Sequence, residues 1–481
     1  MLSAKNMEEN EEQNHKRQLS PYLLVILSFL IVIVIGSFLL VSPFAQTSGK
    51  WAFNYVSDDG LTKITYLDCL FTSISATCVT GLCTFQQGIG GALTFSGQLI
   101  VLILIQIGGL GFITFLTFIV TLIKSKLQFK DRVFLSQAIN ATNFADVVRF
   151  VRRIIVISFV CELLGFLIGL PVAFTIYPHN PLHALWTSLF TSVSAFNNAG
   201  FDIFGNTSLI PVDGSIMGLL KENSTLAYYY YLTYIMILVV SGGISFLVII
   251  EIFSKKSPRQ FNAFTKIVLS TTAVLLLSGW LAFFLSDGIE HNNRITVFES
   301  LFQSVTTRTA GFAIFDQANL SNAGKVVSCV LMFIGGSPLS TAGGIKTTTF
   351  FIIILAVYSH LRGKKVVAFN RRYSSETILK GMSLVVLAMF AIVISIISIT
   401  SFERDNPLAT VDIVCFETFS AFGTVGLSAN LTPFLSDGSK ITLCILMFLG
   451  RLGPITFFQV FRSNDANTGH YQYIEEDFLV G

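Results

Sequence analysis

Charge and the usual residues of catalysis are both scarce in this chain. Asp, Glu, Lys and Arg make up 12% of 481 residues, with only six histidines, seven cysteines, three tryptophans and 11 prolines. The histidines (15, 179, 183, 291, 360, 470) are scattered, and neither H-E-x-x-H nor G-x-S-x-G occurs, so the chain lacks the usual signatures of a zinc or a serine hydrolase. No G-x-x-x-x-G-K-[ST] is present, so a nucleotide, if one matters, must sit on a partner. The cysteines (69, 78, 83, 161, 329, 415, 444) show no C-x-x-C spacing and lie mostly in apolar runs, where they read as small buried hydrophobes. No proline-rich linker divides the chain, and a net charge of +3 gives no case for nucleic acid.

What the chain has instead is apolar length. Fifty-two per cent of its residues are hydrophobic and the mean hydropathy is +0.70. Runs near 20 residues, the length that crosses a bilayer as a helix, predict eight crossings: Tyr22–Val41, Gln98–Ile123, Ile154–Ile176, Tyr228–Phe253, Lys266–Leu285, Lys325–Tyr358, Met382–Thr400 and Ile441–Phe461. The first follows an acidic tail (Glu8, Glu9, Glu11, Glu12), is long for a signal-peptide core and has no A-x-A site after it, so it is read as retained. Of the 31 Lys and Arg, 21 fall on the side of the two termini and 7 on the other, which predicts cytoplasmic termini. The basic loops are then topology signals, with contact to anionic lipid as a further role.

Four times a short apolar stretch runs into a loop that closes on glycine and an apolar residue. The loops are Cys78-Val79-Thr80-Gly81-Leu82, Asn197-Asn198-Ala199-Gly200-Phe201, Arg308-Thr309-Ala310-Gly311-Phe312 and Gly423-Thr424-Val425-Gly426-Leu427. Their glycines are 119, 111 and 115 residues apart. The stretches before them are too short to span and read as re-entrant helices. Asp68, Glu299 and Asp412 fall near their starts, where a carboxylate caps a helix. The expected fold is therefore an all-α polytopic membrane protein: eight transmembrane helices plus four re-entrant pore helices, in four pseudo-symmetric helix–pore loop–helix repeats around a central pore. The tail 1–20 precedes repeats at 21–124, 150–254, 262–359 and 376–462, and the tail 463–481 follows. Four glycines at one axis would let backbones approach and carbonyls replace the water of a potassium ion.

A second glycine motif follows each loop: Gln106-Ile107-Gly108-Gly109, Ser241-Gly242-Gly243-Ile244, Gly335-Gly336-Ser337-Pro338 and Gly450-Arg451-Leu452-Gly453-Pro454. The first two read as helix-packing sites. The third opens Gly335-Gly336-Ser337-Pro338-Leu339-Ser340-Thr341-Ala342-Gly343-Gly344-Ile345-Lys346-Thr347-Thr348-Thr349, which cannot be continuous helix: each glycine costs about 1 kcal/mol of helix propensity and Pro338 lacks an N–H. Such backbone must line water or be buried in protein. Lys346 and Arg451 in this zone should face a cavity or a partner, and Arg308 is placed to bond loop carbonyls. Glu162 and Glu251 lie in helices with no partner that the sequence assigns.

From about residue 20 to 462 these loops and the glycine break resemble the Trk/Ktr/HKT superfamily of potassium transporters, and with one spanning helix before the first loop the Ktr-type membrane subunit most of all. The resemblance implies a selectivity filter at the four loops with K+ at their backbone carbonyls, a gate at 335–349, and Arg451 projecting towards the pore. Gly81 matches the potassium-preferring type, since serine there goes with sodium preference in plant members. It further implies a homodimer, a cytosolic nucleotide-binding regulatory ring, and transport without enzymatic chemistry or a cofactor in the chain itself. Na+ dependence is common among such relatives, though no sodium site is read here; a sodium or poorly selective cation pathway on the same fold is the alternative.

Overall fold

The computed structural model describes residues 21–56, 63–111, 144–205, 208–255, 257–289 and 295–453. The expected tails 1–20 and 463–481, most of the loop 124–153, and the ends of the first and fourth repeats lie outside these residues.

The described chain is mostly helix. It runs α1 (Pro21–Val41), a two-stranded ribbon β1 (Asn54–Val56) and β2 (Lys63–Thr65), then α2 (Tyr66–Thr77), α3 (Gly88–Ala92) and α4 (Phe95–Gly109). It continues with α5 (Phe144–Ile176), α6 (Pro181–Phe196), α7 (Ile216–Asn223), α8 (Thr225–Gly243) and α9 (Phe246–Ser254). Next come α10 (Ala263–Phe283), extended by a π-helical turn to Ile289, α11 (Val297–Thr306), α12 (Asn322–Phe333) and α13 (Thr347–Leu361). A hairpin of β3 (Val367–Ala368) and β4 (Arg371–Arg372) leads to α14 (Ser375–Phe402), α15 (Val411–Gly423) and α16 (Asp437–Leu452).

Among the described residues, four helical stretches are long and apolar enough to cross a membrane: Arg149–Ile176, Thr225–Gly243, Ala263–Ile289 and Ser375–Phe402. Shorter apolar helices are Ile26–Val41, Phe95–Gly109, Asn322–Phe333 and Thr347–Leu361. Burial on these helices is inverted relative to a soluble protein. On α5, Leu163, Leu164, Leu167 and Ile168 are exposed, whereas Ser158 and Glu162 are buried. An apolar outer surface around a polar interior is stable only in lipid.

Local chemistry starts the helices where it should. Thr65 and Asp68 form a capping box on α2, and Thr296 and Glu299 form one on α11. Asn180 caps α6 with Pro181 in its first turn. Asp412 stands in the first turn of α15 as expected; it accepts from the hydroxyl of the cap residue Thr410 (2.5 Å) and also from the ammonium of Lys325 (2.7 Å).

Besides the break anticipated at 335–349, helix stops inside other expected crossings. The run Tyr228–Phe253 breaks between α8 and α9 at Ile244–Ser245. The freed backbone groups bond to the 335–349 segment: Phe246 N donates to Leu339 O (3.0 Å) and Ser337 N to Gly243 O (3.1 Å). In the run Gln98–Ile123, the helix ends at Gly109 and Gly111 turns left-handed at φ 76°; residues beyond it lie outside those described. Packing, the role expected of these glycines, is also present. A methyl on Gly108 would strike the Thr77 carbonyl oxygen, and one on Gly242 that of Phe196. Gly450 meets Phe422 in the same way.

Candidate functional site

The short helices α2, α6, α11 and α15 end in loops of one backbone shape. Two residues before each loop glycine the chain turns left-handed: Val79 (φ 58°), Asn198 (57°), Thr309 (66°) and Thr424 (49°). The glycines follow at φ 100°, 67°, 81° and 94°. Left-handed backbone costs an ordinary residue roughly 1–2 kcal/mol, so Val79, Thr309 and Thr424, which are β-branched, are held there by their surroundings.

The loops meet in a fixed cyclic order. A methyl placed on Gly81 would strike the carbonyl oxygen of Ala199, and one on Gly200 would lie 2.7 Å from that of Ala310. One on Gly311 would strike that of Val425, and one on Gly426 that of Thr80, which returns to the first loop. Four backbones therefore converge, each glycine against the carbonyl that precedes the next glycine. A Cβ at any of the four would force the neighbouring backbone to shift.

Each loop is braced by the hydroxyl residue near the end of its helix. The main-chain carbonyls of Ser75, Ser194, Thr306 and Ser420 accept from the amides of Thr80 (2.7 Å), Ala199 (2.8 Å), Ala310 (3.0 Å) and Val425 (2.9 Å). The side chains divide into pairs. Ser75 and Ser420 Oγ accept from the amides of Gly81 (3.1 Å) and Gly426 (3.2 Å). Ser194 Oγ and Thr306 Oγ1 donate to the carbonyls of Phe201 (2.6 Å) and Phe312 (2.7 Å). These four hydroxyl residues were not singled out from sequence; the signal was their register, six residues before the glycine in three loops and five in the shorter third.

Against the ring lies the segment between α12 and α13. It is non-helical, as its glycines and Pro338 predict, and Leu339 and Gly344 are left-handed at φ 56° and 65°. Gly335 N donates to Ile345 O (2.8 Å) and Thr347 N to Gly336 O (3.0 Å), which folds it back on itself. A methyl on Gly343 would strike the Thr424 side chain, and one on Gly344 would sit 3.4 Å from Gly423 Cα. Thr341 Oγ1 donates to Gly242 O (2.9 Å) and Phe196 O (3.3 Å). Ser340 Oγ donates to Ser337 O (2.7 Å) and accepts from the Ala342 amide (3.3 Å).

The three cations of the sequence all end on backbone carbonyls here. Arg308 donates to Gly335 O (3.1 Å) and Thr272 O (3.4 Å). Lys346 Nζ donates to Ala342 O (2.6 Å). Arg451 bridges Thr341 O and Gly108 O through its two terminal nitrogens. Among the described residues, none of the three pairs with a carboxylate. Glu162, unassigned from sequence, accepts on one oxygen from Gln106 Nε2 (2.9 Å) and Asn197 Nδ2 (3.0 Å), tying the second loop to α4. Glu251 closes the α9–α10 turn through Lys255 (2.5 Å) and the Asn262 amide (2.9 Å). No group of three His, Cys, Asp or Glu able to hold a metal ion occurs among the described residues.

Comparison with known proteins places the chain in a family. Residues 4–469 match the family described as TrkH, cation transport protein. The potassium/sodium uptake protein NtpJ of Enterococcus hirae is 32% identical over 97% of this chain and 98% of its own. The Ktr system potassium uptake protein B of Bacillus subtilis is 33% identical over 96% of this chain and 97% of its own. Among solved structures, the potassium transporter TrkH from Vibrio parahaemolyticus superposes with a TM-score of 0.64 at 15% identity, covering 93% of this chain and 85% of that one, which establishes a shared fold. The chain belongs to the TrkH cation transport family, whose members are transporters rather than enzymes.

Proposed function

We propose that this protein takes up potassium across the plasma membrane through the ring of its four loops, with both termini cytoplasmic. The cyclic approach of Gly81, Gly200, Gly311 and Gly426 is the observation that carries the reading. The backbone of Cys78–Gly81, Asn197–Gly200, Arg308–Gly311 and Gly423–Gly426 supplies the carbonyls that replace the water of a dehydrated K+. Four helix–loop–helix repeats, at 21–124, 150–254, 262–359 and 376–462, then form one pore. Uptake runs down the electrochemical gradient, and an inside-negative potential adds about 2.3 kcal/mol per charge per 100 mV.

The segment 335–349, with Lys346 and Arg451, acts as the gate. Its Gly343 packs against Thr424 of the fourth loop and its Thr341 hydroxyl donates to the Phe196 and Gly242 carbonyls, so movement there reaches the ring directly. Regulation comes from a separate cytosolic nucleotide-binding ring on the basic face of a homodimer; the name Ktr system potassium uptake protein B supports a second component and no more than that. Sodium flux is the second reading, favoured by the name potassium/sodium uptake protein given to one relative.

The test is growth of a potassium-uptake-deficient bacterium on low potassium, with this chain expressed alone, with a Ktr-type cytosolic subunit, and as Gly311→Ser. Rescue that the substitution weakens supports a potassium pathway through the loops, and dependence on the second subunit supports the regulated assembly. Well-expressed protein that rescues nothing, yet carries sodium-22 into vesicles, replaces the potassium reading with the sodium one.

A further inference from the structure

We propose that the β3–β4 hairpin is a recognition site for anionic phospholipid headgroups. The hairpin is held between two apolar helices: α13 ends at Leu361, and α14 begins at Ser375 and is long enough to cross a membrane. Its cations are Arg362, Lys364, Lys365, Arg371 and Arg372, all exposed, and no Asp or Glu occurs between Asp316 and Glu376. The nearest carboxylate in sequence, Glu376, is already taken by Lys380 at 2.6 Å.

The register sorts these side chains. Val367 pairs with Arg372 and Ala368 with Arg371, across a two-residue turn of Phe369 and Asn370, both left-handed. Cross-strand partners share a face, so Lys365, Val367 and Arg372 lie on one face. Val366, Ala368 and Tyr373, which are half-buried, lie on the other, together with the exposed Arg371 that pairs with Ala368. The first face thus carries an apolar side chain between two cations, with Phe369 at the tip; Val367 and Phe369 are 49% and 46% exposed. At the end of α13, Arg362 stands 4.6 Å from the centre of the Tyr358 ring, the pairing of cation and amphipathic ring found at headgroup level. Charge asymmetry across the membrane would need the cations but not a folded turn that exposes Val367 and Phe369 beside them. A phospholipid supplies both halves of the complement, acyl chain for the apolar residues and phosphate for the cations.

The test uses the full-length chain in vesicles, with Phe369→Trp as a reporter and brominated lipid as quencher. Brominated phosphatidylglycerol is expected to quench the added tryptophan more strongly than brominated phosphatidylcholine at equal content. The preference should fall roughly fivefold for each cation removed in Lys365→Gln and Arg372→Gln, the free energy a basic side chain gains at an anionic leaflet. It should also shrink as salt is raised, a measurement that needs no further variant. Equal quenching by the two lipids would overturn the proposal, since the apolar residues alone would then place the hairpin. Absence of quenching by either would overturn it in favour of a hairpin that stands in water and meets a protein.

Discussion

The ammonium of Lys440 lies 2.7 Å from Asp68 Oδ1, joining residues 372 positions apart. Lys440 stands in the first turn of α16 and Asp68 in the first turn of α2, so the contact fastens the last described helix to the first short one. Lys325 of α12 does the same for Asp412 of α15, also at 2.7 Å. In each case the residue four past the helix cap, Ser436 or Ser321, reaches forward to the next loop's helix. Gln98, four past the cap Thr94, repeats the geometry without charge, accepting from Trp186 Nε1 of α6 at 2.7 Å.

The two ion pairs should differ sharply in worth. Lys440 and Asp68 side chains are 11% and 4% exposed, so Lys440→Gln leaves a buried carboxylate uncompensated and should cost about 3–5 kcal/mol. Asp412 is 41% exposed, and Lys325→Gln should cost no more than about 1 kcal/mol. Thermal unfolding of the purified protein measures both. Asp68→Asn combined with Lys440→Gln should recover most of the larger loss.

A methyl on the ring should stop transport without unfolding the chain. Gly200→Ala puts a carbon 2.7 Å from the Ala310 oxygen and 2.8 Å from Gly311 Cα. Gly363→Ala, at φ 61° with nothing within 4 Å of its added carbon, carries the same backbone strain and no clash. Rubidium-86 uptake should be lost in the first and kept in the second, at equal membrane expression.

The hydroxyl braces should affect selectivity before rate. Ser75→Ala and Ser420→Ala each remove one acceptor for a glycine amide, worth about 1 kcal/mol. The double variant should lower potassium preference over sodium several-fold in competition uptake. Unaltered competition would mean that the loop amides need no brace.

Arg451→Ala removes the donors that hold the Thr341 carbonyl to that of Gly108. Leak through vesicles in the absence of any activator should rise several-fold, with potassium preference kept because the ring itself is untouched. Arg451→Lys, which cannot fork between two carbonyls, should leak as well.

Glu403 supplies a pH dependence outside the membrane segments. Burial pushes its carboxyl up, but bonds from the Ser436 side chain and amide, Asn406 and Ser439 outweigh this and hold it below the ordinary glutamate value. The group therefore stabilises the fold above that value, and its contribution is lost as pH falls through the depressed one. Glu403→Gln should flatten the acid limb of a melting-temperature profile.

What the sequence made legible was what neighbouring residues decide. The loop glycines, the break at 335–349 and the capping carboxylates Asp68 and Glu299 are all local. Partners distant in the chain were not legible. The break at Ile244–Ser245 looked like continuous helix because the groups that satisfy it, Leu339 O and Ser337 N, belong to another segment. Glu162 found Gln106 and Asn197, 56 and 35 residues away, for the same reason. The place of Asp412 in a first turn was legible, but its ion-pair partner, Lys325, 87 residues upstream, was not.

The ring of glycines has one further consequence, which concerns inheritance. Because one chain supplies all four sides, a single codon change alters one quarter of the ring and leaves three quarters intact. An assembly of identical subunits would take each such change four times over. The third loop is already one residue shorter than the others, and the second carries Asn198 where the rest carry β-branched residues. Each side can thus drift and be tuned in small steps, while the common left-handed backbone keeps the four in register.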